Sequence, residues 1–121
     1  MTEFFADTYA LIEILKGTAS YASYADKHIV TSKLCIMELY YYFLRTRDEQ
    51  AAEHCITTFS LAVTPISFTA LRAGMQFKYM HKKQKLSYTD CVGYATAVEL
   101  GVPFLTGDNQ FQHMPNVAFV K

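Results

Sequence analysis

The sequence predicts an α/β protein, a three-layer α/β/α sandwich with a parallel central sheet of about five strands. Short apolar runs alternate with longer stretches of helical periodicity, which is typical of crossover units that build a parallel sheet. Acidic residues directly follow the first and fourth apolar runs, at Asp7 and Asp108. Open parallel sheets gather their ligands at the carboxyl ends of the strands, so we expect any functional site at that edge.

The first half of the chain begins with a brief aromatic run, interpreted as a strand, that leads directly into Asp7. Gly17 separates two helical stretches, because glycine favours the left-handed conformation that ends a helix. Ser32 is a good N-cap for the long helix after the second strand, and this helix is apolar almost all round. The predicted elements are strands 3–6 and 28–31 and helices 8–15, 18–26, 32–45 and 48–60.

The second half continues the same alternation. A third strand contains Pro65, which lacks a backbone donor and therefore suits the edge of the sheet. Ser87 starts a late helix, and Gly101 closes it in the position expected just past the last turn. The predicted elements are strands 62–66, 102–106 and 117–120 and helices 67–85 and 87–100.

The composition indicates one globular domain, residues 1–121, in a reducing compartment, and we expect a cytoplasmic protein. An apolar fraction of 51% in a chain of 121 residues is enough to bury a core. The three cysteines are odd in number and widely spaced, which argues against a disulfide framework. The first residues lack the basic region of a secretion signal, and no apolar run approaches the ~20 residues needed to cross a bilayer.

The formal net charge is zero, so no global field draws the protein onto nucleic acid. One local cluster could bind a polyanion. The simpler interpretation of this cluster is a solvated helix end, where cations suit the helix dipole. Its residues are Lys78, His81, Lys82, Lys83 and Lys85, with Tyr79 among them.

Three acids have ordinary structural explanations when each is taken alone. Asp7 could cap the helix that begins at Thr8. Asp90 stands three residues after Ser87, as in a capping box. Asp108 has the Gly-Asp-Asn surroundings of a turn or a helix cap.

Glu38 is different, because it is the only acid in a long helix whose neighbours are apolar or aromatic. An ionised carboxylate there would lose several kcal/mol of hydration unless a cation or hydrogen-bond donors replaced the water. A structural alternative is a hydrogen bond from Tyr41 or Tyr42, or pairing with Arg45 on the same helix.

The four acids are more informative together. If Asp7, Glu38, Asp90 and Asp108 meet at one strand-end crevice, their mutual repulsion costs on the order of several kcal/mol, and divalent cations remove that cost. Oxygen-only ligands completed by water favour magnesium or manganese. Zinc is not expected, since the four histidines show no ligand spacing.

At these residues the sequence resembles the PIN-domain family, in particular its compact VapC-type toxin ribonucleases. "FFADTYALIEIL" is similar to the first motif of the family, with Asp7 followed by Thr8. "TSKLCIMELYYYF" is similar to the second, with Glu38 as the helical acid. "KLSYTDCVGYATAVELGVPFLTGDNQFQ" resembles the third and fourth together, with Asp90 and Asp108 as the remaining acids. The motifs are short, but they span almost the whole chain in the family's order.

The resemblance implies a metal-dependent endoribonuclease that hydrolyses phosphodiester bonds in single-stranded RNA and serves as the toxin of a toxin–antitoxin pair. It implies Mg²⁺ or Mn²⁺ held by Asp7, Glu38, Asp90 and Asp108, which would be both metal ligands and catalytic residues. It also implies a homodimer and an antitoxin partner. Thr8, Ser87 and Thr106 could then donate hydrogen bonds to the acids or to a phosphate.

One position departs from the family pattern. Many members carry a second acid two residues after the last aspartate, where this chain has Gln110. One tightly held ion is therefore the safer expectation. The departure also leaves open an alternative, a catalytically weak or inactive module that binds RNA or assembles with a partner. A phosphoacceptor switch is disfavoured, because only one acid stands at the end of the first strand.

Overall fold

The computed structural model describes residues 3–121 and contains a four-stranded parallel sheet flanked by helices. The strands are β1 (Glu3–Ala6), β2 (His28–Val30), β3 (Phe104–Thr106) and β4 (Val117–Phe119). Their order across the sheet is β2-β1-β3-β4, and every pairing is parallel. The predicted fold class is therefore confirmed, and the carboxyl ends of all four strands lie at one edge.

Among residues 3–121, five α-helices flank the sheet, and the polar residue before each one caps it. In each case a side-chain oxygen accepts a hydrogen bond from the backbone N–H three residues later, which satisfies a donor that the first turn leaves free. The helices and their caps are α1 (Thr8–Lys16, Asp7), α2 (Lys33–Thr46, Ser32), α3 (Glu49–Phe59, Asp48), α4 (Phe68–Met80, Ser67) and α5 (Tyr88–Leu100, Ser87).

Three sequence predictions need correction. The strand expected at 62–66 is reduced to one parallel bridge between Val63 and Thr31, at the outer edge beyond β2. Pro65 cannot donate to a neighbouring strand, so pairing does not extend. The helix expected at 18–26 is a short 3-10 helix, Ala19–Tyr24. The helix expected to reach residue 85 ends at Met80, and the 3-10 turn Lys82–Gln84 follows it.

The core is built from the strands and from α1, α2, α3 and α5, and the residues of α5 are buried on several sides. Phe5 of β1 stacks on Phe104 of β3 with 6.0 Å between ring centroids, and both side chains are fully buried. Gly74 lets α4 approach α5 closely, since a Cβ at that position would lie 2.9 Å from the carbonyl oxygen of Cys91. This close contact fixes the start of α5, and with it Asp90, relative to the sheet.

The cysteines follow the sequence prediction. All three are buried free thiols, and burial raises the pKa of Cys35 and Cys91 to about 11. They therefore stay protonated and pack as small apolar groups. Among residues 3–121, no helix has the length and apolar character needed to cross a bilayer.

Candidate functional site

Asp7 occupies the centre of the carboxyl edge. It directly follows β1 and caps α1, with its Oδ1 accepting a hydrogen bond from the Ala10 N–H at 2.8 Å. The residue is only 2% exposed. Capping and a functional role are therefore compatible, because one carboxylate oxygen serves the helix and the other faces β3.

Thr106 ties two of the predicted acids together. Ala6 pairs with Leu105, which brings Asp7 level with the end of β3. The Thr106 hydroxyl donates to Oδ2 of Asp7, and the Thr106 hydroxyl oxygen accepts a hydrogen bond from the Asp108 N–H at 3.0 Å. Thr106 is fully buried, so its side chain sets the position of Asp108 relative to Asp7.

We expect Thr106→Val to lower the free energy of unfolding by about 1 to 3 kcal/mol, because it leaves a buried acceptor and a backbone donor without their partner. Thr106→Ser keeps the hydroxyl and should lose clearly less stability. Urea denaturation of both variants measures the difference. Equal losses in the two variants would mean that the methyl group, and not the hydrogen bonds, stabilises this edge.

Glu38 reaches the same edge from α2. Its Oε1 accepts a hydrogen bond from the Thr8 hydroxyl at 2.7 Å, and Thr8 is the first residue of α1. The side chain is partly buried. The hydrogen bond therefore comes from Thr8, and not from the tyrosines considered as the structural alternative, and it connects Glu38 to the residue next to Asp7.

Asp90 lies in the first turn of α5, where its N–H donates to the Ser87 hydroxyl oxygen at 3.0 Å. The start of this helix faces the carboxyl edge, because α5 runs back to the beginning of β3. Burial raises the pKa of Asp90 to about 6, the Ser87 hydroxyl opposes the shift, and the charges of Asp108 and Glu38 add to it. Asp90 thus lies within electrostatic range of two of the other acids.

Asp108 follows β3 and caps the 3-10 turn Asn109–Phe111, with its Oδ1 accepting from the Gln110 N–H at 3.0 Å. Its charge raises the pKa of Asp7 and of Asp90. Gln110 occupies the position that holds an acid in many members of the resembled family. Here its backbone N–H completes the cap.

The electrostatics show the cost of bringing these acids together. Burial raises the pKa of Asp7 to about 7, the hydrogen bonds from Thr106 and Ala10 lower it, and the charges of Asp90 and Asp108 raise it further. Within residues 3–121, the ion pairs present are Lys16–Glu13 and His28–Glu3, so no lysine or arginine pairs with the four acids. The edge therefore carries clustered negative charge that no described lysine or arginine neutralises through an ion pair.

The four acids have the ligand chemistry that a hard divalent cation requires, but their side chains are not arranged as a complete coordination site. The donors are all carboxylate oxygens, which Mg²⁺ and Mn²⁺ prefer. In the part of the chain that the structure describes, no three acidic, histidine or cysteine side chains stand close enough to hold a metal as they are. Asp7 is buried, whereas the other three acids, Glu38, Asp90 and Asp108, are partly exposed to solvent and so accessible to a cation.

Sequence reasoning missed a cation beside the edge. Lys121 Nζ donates to the Gly107 carbonyl and to Asn109 Oδ1, each at 3.2 Å, and lies 5.7 Å from the centre of the Tyr9 ring. No local pattern marks this residue. The parallel register does, because β4 pairs with β3 and must end at the same edge as Asp108.

Gly107 has no room for a side chain at this place. A Cβ there would lie 2.2 Å from the Tyr9 ring and 2.5 Å from the Val120 carbonyl oxygen. The glycine lets the chain after β3 pass closely between α1 and the end of β4. This close approach helps to place Asp108 at the edge.

Solved structures with a similar fold include proteins of toxin–antitoxin systems. A toxin–antitoxin complex from Klebsiella pneumoniae has a TM-score of 0.73 at 20% identity, covering 98% of this chain and 96% of that one. VapBC2 from Rickettsia felis, bound to a promoter DNA fragment, has a TM-score of 0.75 at 14% identity, with 99% and 100% covered. VapC20 from Mycobacterium tuberculosis, described as a sarcin-ricin-loop-cleaving toxin, has a TM-score of 0.75 at 16% identity, with 94% and 98% covered.

These likenesses establish the fold along nearly the full length of the chain. No curated protein matches the chain in sequence. The family model of the PIN domain, in contrast, matches residues 4–117, which include all four acids in the order noted above. The chain therefore belongs to the PIN-domain family.

Proposed function

We propose that this protein is a metal-dependent endoribonuclease that cleaves single-stranded RNA, and that it is the toxin of a toxin–antitoxin pair. The observation that supports this best is the convergence of acids from four separate elements at one edge, where no lysine or arginine within residues 3–121 forms an ion pair with them. A stable protein keeps such an arrangement at a cost to folding, which favours a functional role over a structural one.

Asp7, Glu38, Asp90 and Asp108 would hold Mg²⁺ or Mn²⁺. When bound, the ion lowers the pKa of a water and neutralises charge that builds up on the phosphate. Asp7 is the fixed member of the set, since two hydrogen bonds and full burial hold its carboxylate in place. Thr8 and Thr106 orient Glu38 and Asp7, and Ser87 fixes the turn that carries Asp90.

RNA is the proposed substrate because PIN-domain membership and the toxin relatives point to it, including one described as cleaving the sarcin-ricin loop. The antitoxin partner is proposed on the same ground, since two of the similar structures are described as toxin–antitoxin or VapBC complexes. A homodimer is proposed as well. Exposed apolar side chains such as Tyr41, Phe68 and Tyr79, at 65%, 75% and 71% exposure, offer candidate contact area.

Glu38→Gln tests this proposal, with Glu53→Gln as its matched control. Each glutamate lies on a helix and accepts one hydroxyl hydrogen bond, from Thr8 at 2.7 Å and from Tyr40 at 2.6 Å respectively. We expect Glu38→Gln to reduce the cleavage of single-stranded RNA in Mn²⁺ or Mg²⁺ by at least about 100-fold, since direct ligands should matter more than the groups that orient them. Glu53→Gln should cleave as the wild type does.

Equal cleavage by wild type and Glu38→Gln would contradict the proposal, and so would full activity in the presence of a chelator. Absence of cleavage in the wild type, with intact RNA binding, would favour the second candidate, a catalytically weak or inactive RNA-binding module. Two observations favour this second candidate. Gln110 replaces an acid, and no three ligand side chains within residues 3–121 stand close enough to hold a metal.

A further inference from the structure

A groove of about 610 Å³ runs along the side of the molecule between α4, α5 and the segment after β3. We name it the side groove. Its walls combine aromatic rings with a few polar groups, and the residues used below are Gln76, Phe77, His81, Tyr94, His113 and Pro115. A volume of this size accommodates a small planar ring system.

The side groove is continuous with the acidic edge along the chain. Tyr94 follows Asp90 by four residues on α5, about 6 Å along the same helix face. His113 follows Asp108 by five residues, after the 3-10 turn. The two segments that carry these acids therefore also form two walls of the groove.

The aromatic wall is well ordered by packing. Phe77 lies edge-on to Tyr94, with ring centroids 4.8 Å apart, and His81 lies 4.2 Å from Phe77. The Tyr94 hydroxyl donates to the Pro115 carbonyl at 2.5 Å, which fixes that ring across the groove. Rigid rings of this kind are surfaces on which nucleobases stack.

Polar groups in the groove could read a base edge. His81 Nδ1 is 2.9 Å from the Phe77 carbonyl oxygen, an acceptor, so Nδ1 carries the proton and Nε2 of the neutral ring is left as an acceptor. Gln76 and His113 are exposed and line the same groove. An amide offers both a donor and an acceptor, as base edges require.

Charge favours a polynucleotide over an apolar partner segment at this place. The 3-10 turn Lys82–Gln84 and Lys85 follow His81 directly, and the three lysines of this stretch are exposed. Lys78 behaves differently, since its ammonium group donates to the Leu86 carbonyl and lies 4.8 Å from the Tyr88 ring centre. Lys82, Lys83 and Lys85 thus stand next to the groove, where a phosphate backbone would pass.

We propose that the side groove binds one unstacked nucleobase of a single-stranded RNA whose backbone passes along Lys82, Lys83 and Lys85 toward the acidic edge. This inference rests on the proposed function for its substrate class. It adds a base-binding subsite, with Gln76, His81 and His113 as the residues that determine which base is preferred.

The test is binding of eight-nucleotide single-stranded RNAs to the full chain in a chelator, so that no cleavage occurs. The probes are the four homopolymers and an abasic eight-mer with the same number of phosphates. Fluorescence anisotropy measures the affinity of each probe. The double variant Gln76→Ala/His113→Ala is compared with the control Gln50→Ala/His54→Ala. The control removes the same two residue types from a different cavity, which lies near the start of α3 and the ends of α1 and α2.

We expect the side-groove variant to bind its preferred homopolymer about tenfold more weakly and to lose the preference among bases. Its affinity for the abasic eight-mer should equal that of the wild type, and the control variant should bind as the wild type does. Unchanged base preference in the side-groove variant would overturn the inference, as would wild-type binding of the abasic eight-mer as tightly as of any homopolymer. A wild type that binds bases selectively but cleaves nothing in Mn²⁺ would instead contradict the proposed function alone.

Discussion

Asp7→Asn should make the metal-free protein more stable at pH 8. The same substitution should reduce the rate of RNA cleavage by at least about 100-fold. The amide keeps the shape of the side chain and can still accept the Ala10 hydrogen bond that caps α1. It removes a buried charge that Asp90 and Asp108 destabilise. We expect a gain in the free energy of unfolding on the order of 2 kcal/mol, because a carboxylate with a raised pKa opposes folding once it is ionised.

Asp48→Asn is the matched control for this variant. Asp48 caps α3 as Asp7 caps α1, with Oδ1 accepting from the Ala51 N–H at 2.8 Å. It is exposed and lies at the far end of α2, away from the acidic edge. Its replacement should change stability by less than about 1 kcal/mol and leave cleavage intact. Urea denaturation at pH 8 in a chelator and an RNA cleavage assay in Mn²⁺ compare the two variants directly. Loss of stability in Asp7→Asn would mean that this carboxylate serves the fold and not a cation.

The stability of the metal-free wild type should fall as pH rises from about 4 to about 7. The folded-state pKa values of Asp7 and Asp90, about 7 and about 6, lie above the ordinary value of 3.8, so the native state binds more protons than the unfolded state in this window. The stabilisation that the two neutral acids provide is fully present below pH 4. It is lost as the pH rises through their folded-state pKa values. For Asp7 alone the loss is on the order of 3 kcal/mol.

Urea denaturation at several pH values, in a chelator and in Mn²⁺, measures this effect. The difference between wild type and Asp7→Asn isolates the part that Asp7 contributes, because all other titrating groups are shared. Mn²⁺ should restore most of the loss at pH 8, since a bound ion stabilises the ionised carboxylates. A wild-type profile that parallels the Asp7→Asn profile between pH 4 and 8 would show that the acid titrates as it does in the unfolded chain.

Local signals in the sequence were sufficient for most of the fold. Ser32 and Ser87 cap helices as their side-chain chemistry predicts, and Gly17 and Gly101 adopt the left-handed conformation that ends α1 and α5. These features depend on neighbouring residues along the chain, so the sequence alone reveals them.

The errors arose where tertiary contacts decide the outcome. The apolar run around Pro65 has strand composition, but within the described residues only Val63 pairs, with Thr31, and Pro65 has no N–H to continue the pairing. Residues 19–24 form a 3-10 helix whose position depends on the burial of Tyr21 and on its hydrogen bond to the Val120 carbonyl. That partner is far along the chain, and periodicity carries no information about it.

The candidate site could be assembled from the sequence because its acids follow strands or begin helices. Glu38 was located by its unusual apolar surroundings, but its partner, Thr8, could not be predicted, because the meeting of α1 and α2 depends on how both helices pack on the sheet. Lys121 was missed for the same reason, since only the parallel pairing of β3 and β4 brings it beside Gly107.

Calorimetric titration with Mn²⁺ tests the central claim most directly, because binding of the ion does not depend on knowing the RNA target. We expect the wild type, Asp48→Asn and Glu53→Gln to bind one ion per chain with a dissociation constant below about 1 mM. Asp7→Asn and Glu38→Gln should each bind at least about tenfold more weakly. Equal binding by all five proteins, or no binding by the wild type, would contradict the claim that these acids converge on a cation.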